Sequence, residues 1–391
     1  MPQAGSGKEP IRVKFPPFDL KRLLNTVFEP AKGEKVCILI DLDDPTKVRD
    51  FAFLKDSRWS VQKMAHDHFY QGLKNGVAEA LGLTGGELYC YEMTGGSNLD
   101  LPDRAVAVDG TELSLEKDIY PNYDLILCIS TYSATAPLTA SAKQHGFRGA
   151  TLHGLNEIIL NSGLAVDYNQ VSEQAERLRK GMSGADAVEI DTSVNGKTYT
   201  VRIELGKQEA QKSHGLCRTG PDIANLPAGE VYFVPTGGQG QFPFKLEDGS
   251  LALLEVEGGK VIEVGFLSGN QTEVENFRQR ILTDPATGFL GELGFGTQEL
   301  PVSGQDIQDE KIFGTFHLAT GRNDHLGGDI TTDKFEEKKN ASHDDILFSR
   351  EKTPEIGAPK VRMYRGDSVQ VLYENYGAGE YLKSLAHGQP V

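Results

Sequence analysis

Three residues able to bind a metal ion stand together at the start of an apolar run, in the segment "ASHDDILF" (341–348). Side chains of an extended strand alternate between its two faces, so His343 and Asp345 share one face while Asp344 points away. An imidazole and a carboxylate on one face can bind the same metal ion. The segment therefore predicts a metal site at the beginning of a strand.

Further segments of the C-terminal half place an acid or an imidazole beside glycines at the edge of an apolar run. They are "NLPAGEVYFVPTGG" with Glu230, "GELGFGTQEL" with Glu292, and "DEKIFGTFHLATG" with Glu310 and His317. Such positions can present a side chain to a cleft with little backbone mobility. Imidazole and carboxylate groups without cysteine favour Zn, Co, Mn or Fe over a thiolate site. Since these groups outnumber the ligands of one tetrahedral zinc, the pattern predicts two adjacent metal ions.

The N-terminal half must supply the other wall of such a cleft, and its pattern is that of an open α/β layer. "VCILIDL" (36–42) and "YDLILCIS" (123–130) are continuous apolar runs typical of buried parallel strands. A helix is predicted to begin at the N-cap Asp19, and a longer one to run from about Ser60 to Leu81. No glycine-rich dinucleotide fingerprint follows a strand.

The pattern changes near residue 181, where Gly181 follows a helical face. Beyond it, hairpin signals dominate, such as Asn195-Gly196 before the alternating run "TYTVRIEL". One helix interrupts these strands, and the capping box that starts at Thr272 is predicted to open it. We therefore expect an N-terminal open α/β domain over residues 1–181 and a C-terminal mixed α+β metal-binding catalytic domain over residues 182–391.

Composition limits the possible partners and the compartment. The formal net charge of -16 argues against binding to nucleic acid or to an anionic membrane surface, because both need an excess of Lys and Arg. No apolar run is long enough to span a membrane, and the start "MPQAGSGKEP" lacks the apolar core of a signal peptide. The four cysteines form no CxxC pair, which indicates reduced thiols. A cytoplasmic location is the expectation.

Taken in order, the C-terminal segments resemble a known family. "NLPAGEV", "GELGFGT", "GTFHLATG" and the His-x-Asp of "HDD" follow the pattern of the aminopeptidase T type of leucyl metalloaminopeptidase, over roughly residues 181–350. The N-terminal half agrees only in its α/β character and in "KGEKV" before a strand. The resemblance implies a two-domain, dimetal exopeptidase that is usually a homodimer and acts on a peptide or another small molecule.

Carried over residue by residue, the resemblance implies metal ligation by Glu230, Glu292, His317, His343 and Asp345. The implied cofactor is two divalent metal ions, Zn, Co or Mn. Such ions would lower the pKa of a bridging water toward about 7, so that hydroxide attacks the first peptide bond. Glu310 or Glu292 would be the catalytic carboxylate that carries the proton to the leaving amine.

Two alternatives stay open. Relatives of aminopeptidase T commonly carry a Tyr seven residues after the histidine that corresponds to His317, whereas this chain has Asp324 there. The 2,5-dihydroxypyridine ring-cleaving dioxygenases, on the same fold, hold a single Fe(II) by two His and one Asp, with His where this chain has Glu292. A non-catalytic binding protein on the same scaffold is the third possibility. We expect Asp324 to lie in a glycine-hinged loop, 321–340, over the metal cleft, where it either meets the substrate or caps a turn.

Overall fold

The computed structural model describes residues 14–388, so the chain start considered above lies outside the described residues. The strands are β1 Lys35–Leu42, β2 Thr84–Glu92, β3 Arg104–Ala107, β4 Glu112–Ser114, β5 Leu125–Cys128, β6 Arg148–Thr151, β7 Ala187–Val194, β8 Lys197–Glu204, β9 Gln211–Ser213, β10 Asp222–Asn225, β11 Glu230–Phe233, β12 Gly237–Lys245, β13 Leu251–Glu257, β14 Lys260–Ser268, β15 Leu290–Gly296, β16 Phe316–Gly321, β17 His343–Phe348, β18 Gly357–Arg365, β19 Ser368–Glu374 and β20 Gly377–Ala378. The α-helices are α1 Leu20–Phe28, α2 Ser60–Met64, α3 Ala78–Leu81, α4 Thr135–His145, α5 Glu157–Leu160, α6 Tyr168–Met182, α7 Gln271–Thr283, α8 Asp306–Asp309 and α9 Glu380–Ala386.

A seven-stranded sheet with the order β10-β6-β5-β1-β2-β3-β4 forms the first layer. Its central strand β1 is the predicted apolar run, and it pairs in parallel with both β2 and β5. The chain passes from β1 to β2 on one side and later to β5 on the other, so the strand order reverses between β1 and β5. Ligands of open α/β sheets bind beyond the carboxyl ends of the strands at such a point.

The predicted helices of this layer form, with differences in detail. The Asp19 side chain accepts a hydrogen bond of 3.0 Å from the amide of Arg22, which confirms the predicted cap of α1. The predicted helix 60–81 is present but includes wider turns between α2 and α3, and it bends at Asn75 and Gly76. Gly76 adopts φ +108°, which an L side chain rarely allows.

Two antiparallel sheets form the rest of the molecule. One has five strands in the order β17-β16-β15-β11-β9, and the other has eight in the order β14-β13-β12-β8-β7-β18-β19-β20. The predicted turn at Asn195-Gly196 joins β7 to β8, and both turn residues have positive φ, as this tight hairpin requires. The cap of α7 differs from the prediction, because the side chain of Asn270, rather than Thr272, accepts from a backbone amide.

The described chain is thus a mixed α/β structure of several sheets and helices, as expected. β10 pairs in parallel with β6 in the seven-stranded sheet, so the chain returns to the first layer after residue 181. The boundary at residue 181 itself stays a prediction. Within residues 14–388, none of the helices combines the length and the apolar character needed to cross a membrane.

Candidate metal centre

All five predicted ligands come together on the five-stranded sheet. Glu292 lies on β15, His317 on β16, and both His343 and Asp345 on β17, while Glu230 begins β11. These strands are neighbours, and their register places Gly294 opposite His317 and Ala319 opposite Asp345. Alternation along β17 sends Asp344 away from the site, where its carboxylate pairs with Arg280 at 2.5 Å.

The Glu292 carboxylate lies between two imidazoles and belongs to two possible ligand groups. Its Oε2 is 3.1 Å from His343 Nε2, which is 3.4 Å from Asp345 Oδ1. Its Oε1 is 3.4 Å from His317 Nε2, which is 3.7 Å from Glu230 Oε2. The ligand atoms of each group lie within 4.8 Å of one another, so either group can hold a metal ion.

The tautomer of His343 suits metal binding. Its Nδ1 is 2.6 Å from the carbonyl oxygen of Arg322. A carbonyl oxygen can only accept, so Nδ1 carries a proton, and Nε2, which faces Glu292 and Asp345, is the nitrogen left to bind a metal ion. Glu230 Oε2 is buried without a hydrogen-bond partner in the described structure, a costly condition that a bound cation would relieve.

Glycines on β15 make room for the imidazole rings. A Cβ atom at Gly294 would overlap the ring of His317, and one at Gly291 would touch the ring of His343 at 3.6 Å. The glycines of "GELGFGT" therefore have a packing function, since they let β15 pass directly beneath both rings.

Glu310, one of the two carboxylates expected to carry the proton, lies beside the cluster and is paired with Lys311. The Lys311 ammonium is 2.6 Å from Glu310 Oε1 and 2.7 Å from Glu230 Oε1, and the lysine is only 1% exposed. Burial raises the pKa of Glu310 to about 7, although the charge of Lys311 opposes the shift. The adjacent lysine was not singled out from the sequence.

Without a metal ion, protons occupy the cluster. Burial alone would lower the pKa of His317, but the hydrogen bond and charge of Glu292 raise it to about 10. Burial likewise opposes protonation of His343, whose pKa is nevertheless raised by Asp345 and Glu292. Burial would raise the pKa of Glu292, yet the two histidines hold it well below its ordinary value. Metal ions and protons therefore compete for these imidazoles.

The cluster opens onto a cavity of about 1180 Å³ lined by both halves of the chain. Three histidines that matched no ligand pattern in the sequence line it: His153, His214 and His325. The ring of His325 stands perpendicular to that of His343, with centroids 5.1 Å apart. Burial, and then the charge of Lys311, lower the pKa of His153 to about 4. His153 follows the carboxyl end of the parallel strand β6, where ligands of open α/β sheets bind. This position was the signal by which the sequence could have identified it as a residue of the site.

The 321–340 segment lies beside the cluster, and its residues His325 and Leu326 line the cavity. Gly321 and Gly327 adopt positive φ, whereas Gly328 does not. Asp324 is held internally, because its Oδ1 accepts from Arg322 Nε at 2.7 Å. Burial would raise the pKa of Asp324, but the neighbouring side chains of His325 and Arg322 lower it.

Comparisons with known proteins give a fold and no family. The sequence matches no protein-family model and no curated protein. The structure is similar to a solved structure of 2,5-dihydroxypyridine dioxygenase from Pseudomonas putida KT2440, with a TM-score of 0.55 and 14% sequence identity. The match covers 89% of this chain and 92% of the other. At this identity the likeness concerns the fold.

This comparison corrects one expectation from the sequence. We expected a metalloaminopeptidase, which is a hydrolase, but the similar solved structure is that of a dioxygenase, which is an oxidoreductase. Segments such as "GTFHLATG" specify the sheet that carries the candidate ligands, and a fold does not fix the reaction. The resemblance to aminopeptidase T therefore does not establish that the reaction is a hydrolysis.

Proposed function

We propose that this protein is a mononuclear Fe(II) dioxygenase that opens a hydroxylated aromatic ring of the 2,5-dihydroxypyridine type. The observation that carries the proposal is the group of Glu292, His343 and Asp345 at the wall of a cavity, in a fold similar to that of such a dioxygenase. The five-stranded sheet supplies the ligands, and the edge of the seven-stranded sheet supplies the facing wall.

The available side chains suit ferrous iron. Fe(II) oxygenases commonly use two histidines and one carboxylate, with positions left open for substrate and O2. Here His343 supplies an imidazole, and Glu292 and Asp345 supply carboxylates. Glu292 would thus replace the histidine that the dioxygenases have at this position, and its other oxygen lies 3.4 Å from His317. Iron held here would supply the redox chemistry by which O2 reacts with an electron-rich ring.

The chain's own residues would bind and orient the ring. The cavity exceeds the size range of many small-molecule sites, about 300–1,000 Å³, and so leaves room for a ring with a substituent. His153 is neutral near pH 7 because its pKa is lowered to about 4. A neutral imidazole both donates and accepts a hydrogen bond, which suits a ring hydroxyl or a ring nitrogen.

Oxygen consumption tests this proposal. Protein loaded anaerobically with Fe(II) is mixed with O2 and a panel of dihydroxypyridines and dihydroxybenzenes, while ring absorbance and dissolved O2 are followed. We expect loss of one ring per O2, and incorporation of both atoms of 18O2 into the product by mass spectrometry. Iron-loaded protein that consumes no more O2 than free iron across the panel would exclude the dioxygenase.

Matched variants connect the activity to the site. His343→Ala and Asp345→Ala should abolish ring cleavage, because each removes a ligand of the cluster. His387→Ala is the control, since His387 is exposed near the end of the described chain. Equal activity in His343→Ala and His387→Ala would place the reaction elsewhere.

A further inference from the structure

Lys311 is a buried cation fixed next to the metal centre. Its Nζ lies 2.7 Å from Glu230 Oε1 and 2.6 Å from Glu310 Oε1. The backbone around it is also held, because its amide donates to the carbonyl of Gln308 at 2.9 Å and its carbonyl accepts from Gln298 at 2.8 Å. The ammonium thus has a defined place and two carboxylate partners.

The two possible ligand groups differ in whether a lysine already neutralises them. Among residues 14–388, neither Glu292 nor Asp345 forms an ion pair with a lysine or an arginine. Glu230, in contrast, belongs both to the group with Glu292 and His317 and to the pair with Lys311. A divalent ion is therefore attracted most strongly to Glu292, His343 and Asp345. In the group of Glu230, Glu292 and His317, the ion would be repelled by the Lys311 ammonium, which is paired with the other oxygen of Glu230.

We infer that Lys311 replaces a second metal cation, so that the chain binds one metal ion at Glu292, His343 and Asp345 and keeps a latent second site at Glu230, Glu292 and His317, with Glu310 beside it. Replacing the ammonium with an uncharged group frees both glutamates for a second ion. This inference rests on the proposed metal-dependent function and explains why it would use one ion.

Lys311 also stabilises the fold by neutralising Glu230 and Glu310, and a metal ion could replace it in this role. Removing it leaves the carboxylates of Glu230 and Glu310 buried without their common counter-ion. The Lys311→Met protein should therefore be less stable than the wild type in the presence of a chelator. A second divalent ion would neutralise the same carboxylates, so excess Mn²⁺ should raise the Tm of the variant more than that of the wild type.

Counting metal ions tests the inference without any assay of turnover. Apoprotein is titrated with Mn²⁺ by calorimetry, and the metal content is measured after gel filtration. We expect one ion per chain for the wild type and two for Lys311→Met. Lys212→Met is the matched control, because Lys212 lines the same cavity but pairs with Glu176 at 3.1 Å, and it should keep one ion.

Two results would overturn the inference: two ions in the wild type, or one ion in Lys311→Met. If Lys311→Met does not fold, the double variant Lys311→Met with Glu310→Gln removes both charges of the Lys311–Glu310 pair. It leaves Glu230, Glu292 and His317 unchanged, so it should still bind two ions. One ion in that double variant would equally reject the latent site. The count is independent of ring cleavage, so failure of the proposed reaction and failure of this inference are distinguishable.

Discussion

The imidazole of His317 lies directly against the Cα of Gly294 on the neighbouring strand, where a Cβ atom would overlap the ring. The position of this candidate ligand on β16 therefore depends on the absence of a side chain on β15. A Cβ atom at Gly294 would lie 2.1 Å from the ring, so the ring or the strand would have to shift.

We expect Gly294→Ala to displace His317, which lies against Glu292, and so to disturb Glu292 and weaken metal binding at least tenfold. The overpacking should also lower the free energy of unfolding by about 1–3 kcal/mol. Calorimetric metal titration and urea unfolding measure the two effects. Gly265→Ala is the control, because an added Cβ there meets its nearest neighbour at 3.7 Å. Unchanged metal affinity in Gly294→Ala would show that His317 does not position Glu292.

Neighbouring residues of β17 should differ sharply in their effect on metal content. His343→Ala and Asp345→Asn should each lower metal affinity more than tenfold, because both face Glu292. Asp344→Asn should retain the metal, since Asp344 pairs with Arg280 on the opposite face. Elemental analysis after gel filtration measures the content. Equal loss in all three variants would indicate a general effect on the strand.

The Asp324 carboxylate should stabilise the fold in a pH-dependent way. Its pKa in the folded chain is lowered, so its stabilisation is present above the unfolded pKa of about 3.9 and is lost as the pH falls through the lower folded value. We expect Asp324→Asn to lower the free energy of unfolding by about 1–3 kcal/mol at pH 6. The difference from the wild type should shrink at pH 3. Asp329→Asn, at an exposed position of the same loop, is the control in urea unfolding.

The thiols should be unreactive in the native protein. All four cysteines are buried, and burial raises the pKa of Cys128 and Cys217 to about 12, which leaves almost no thiolate near pH 8. Ellman's reagent should detect no thiol in the folded protein and four after denaturation. Rapid release of one equivalent by native protein would contradict the burial of these side chains.

Local patterns were sufficient to predict several parts of the site. Alternation along β17 separated His343 and Asp345 from Asp344, because strand periodicity does not depend on the rest of the fold. The glycine-flanked segments around Glu292 and His317 were also correctly expected to meet. The predicted apolar run of β1 is the centre of its sheet for the same reason, since burial on both faces requires continuous apolar residues.

Other features depend on contacts that no local pattern encodes. Lys311 follows Glu310 in the sequence like any adjacent acid–base pair of a loop. Its burial results from the way the chain after α8 returns to pair with Gln298, just beyond β15, which brings Lys311 against Glu230. His153 approaches the cluster only because the edge of the first sheet faces the second. β10 was unexpected in the first sheet, because a short strand late in the chain gives no signal of its distant partner β6.

Arg322 contacts both the rim of the cavity and His343, a candidate metal ligand. Its guanidinium donates to the carbonyl of Asn98 at 2.9 Å and to Asp100 at 3.1 Å, while its own carbonyl fixes the ring of His343. A shift of the 98–100 segment away from the second half of the chain would move residue 322 and rotate that imidazole. Widening of the cavity mouth on this side would therefore weaken the hold of the proposed metal site on an ion.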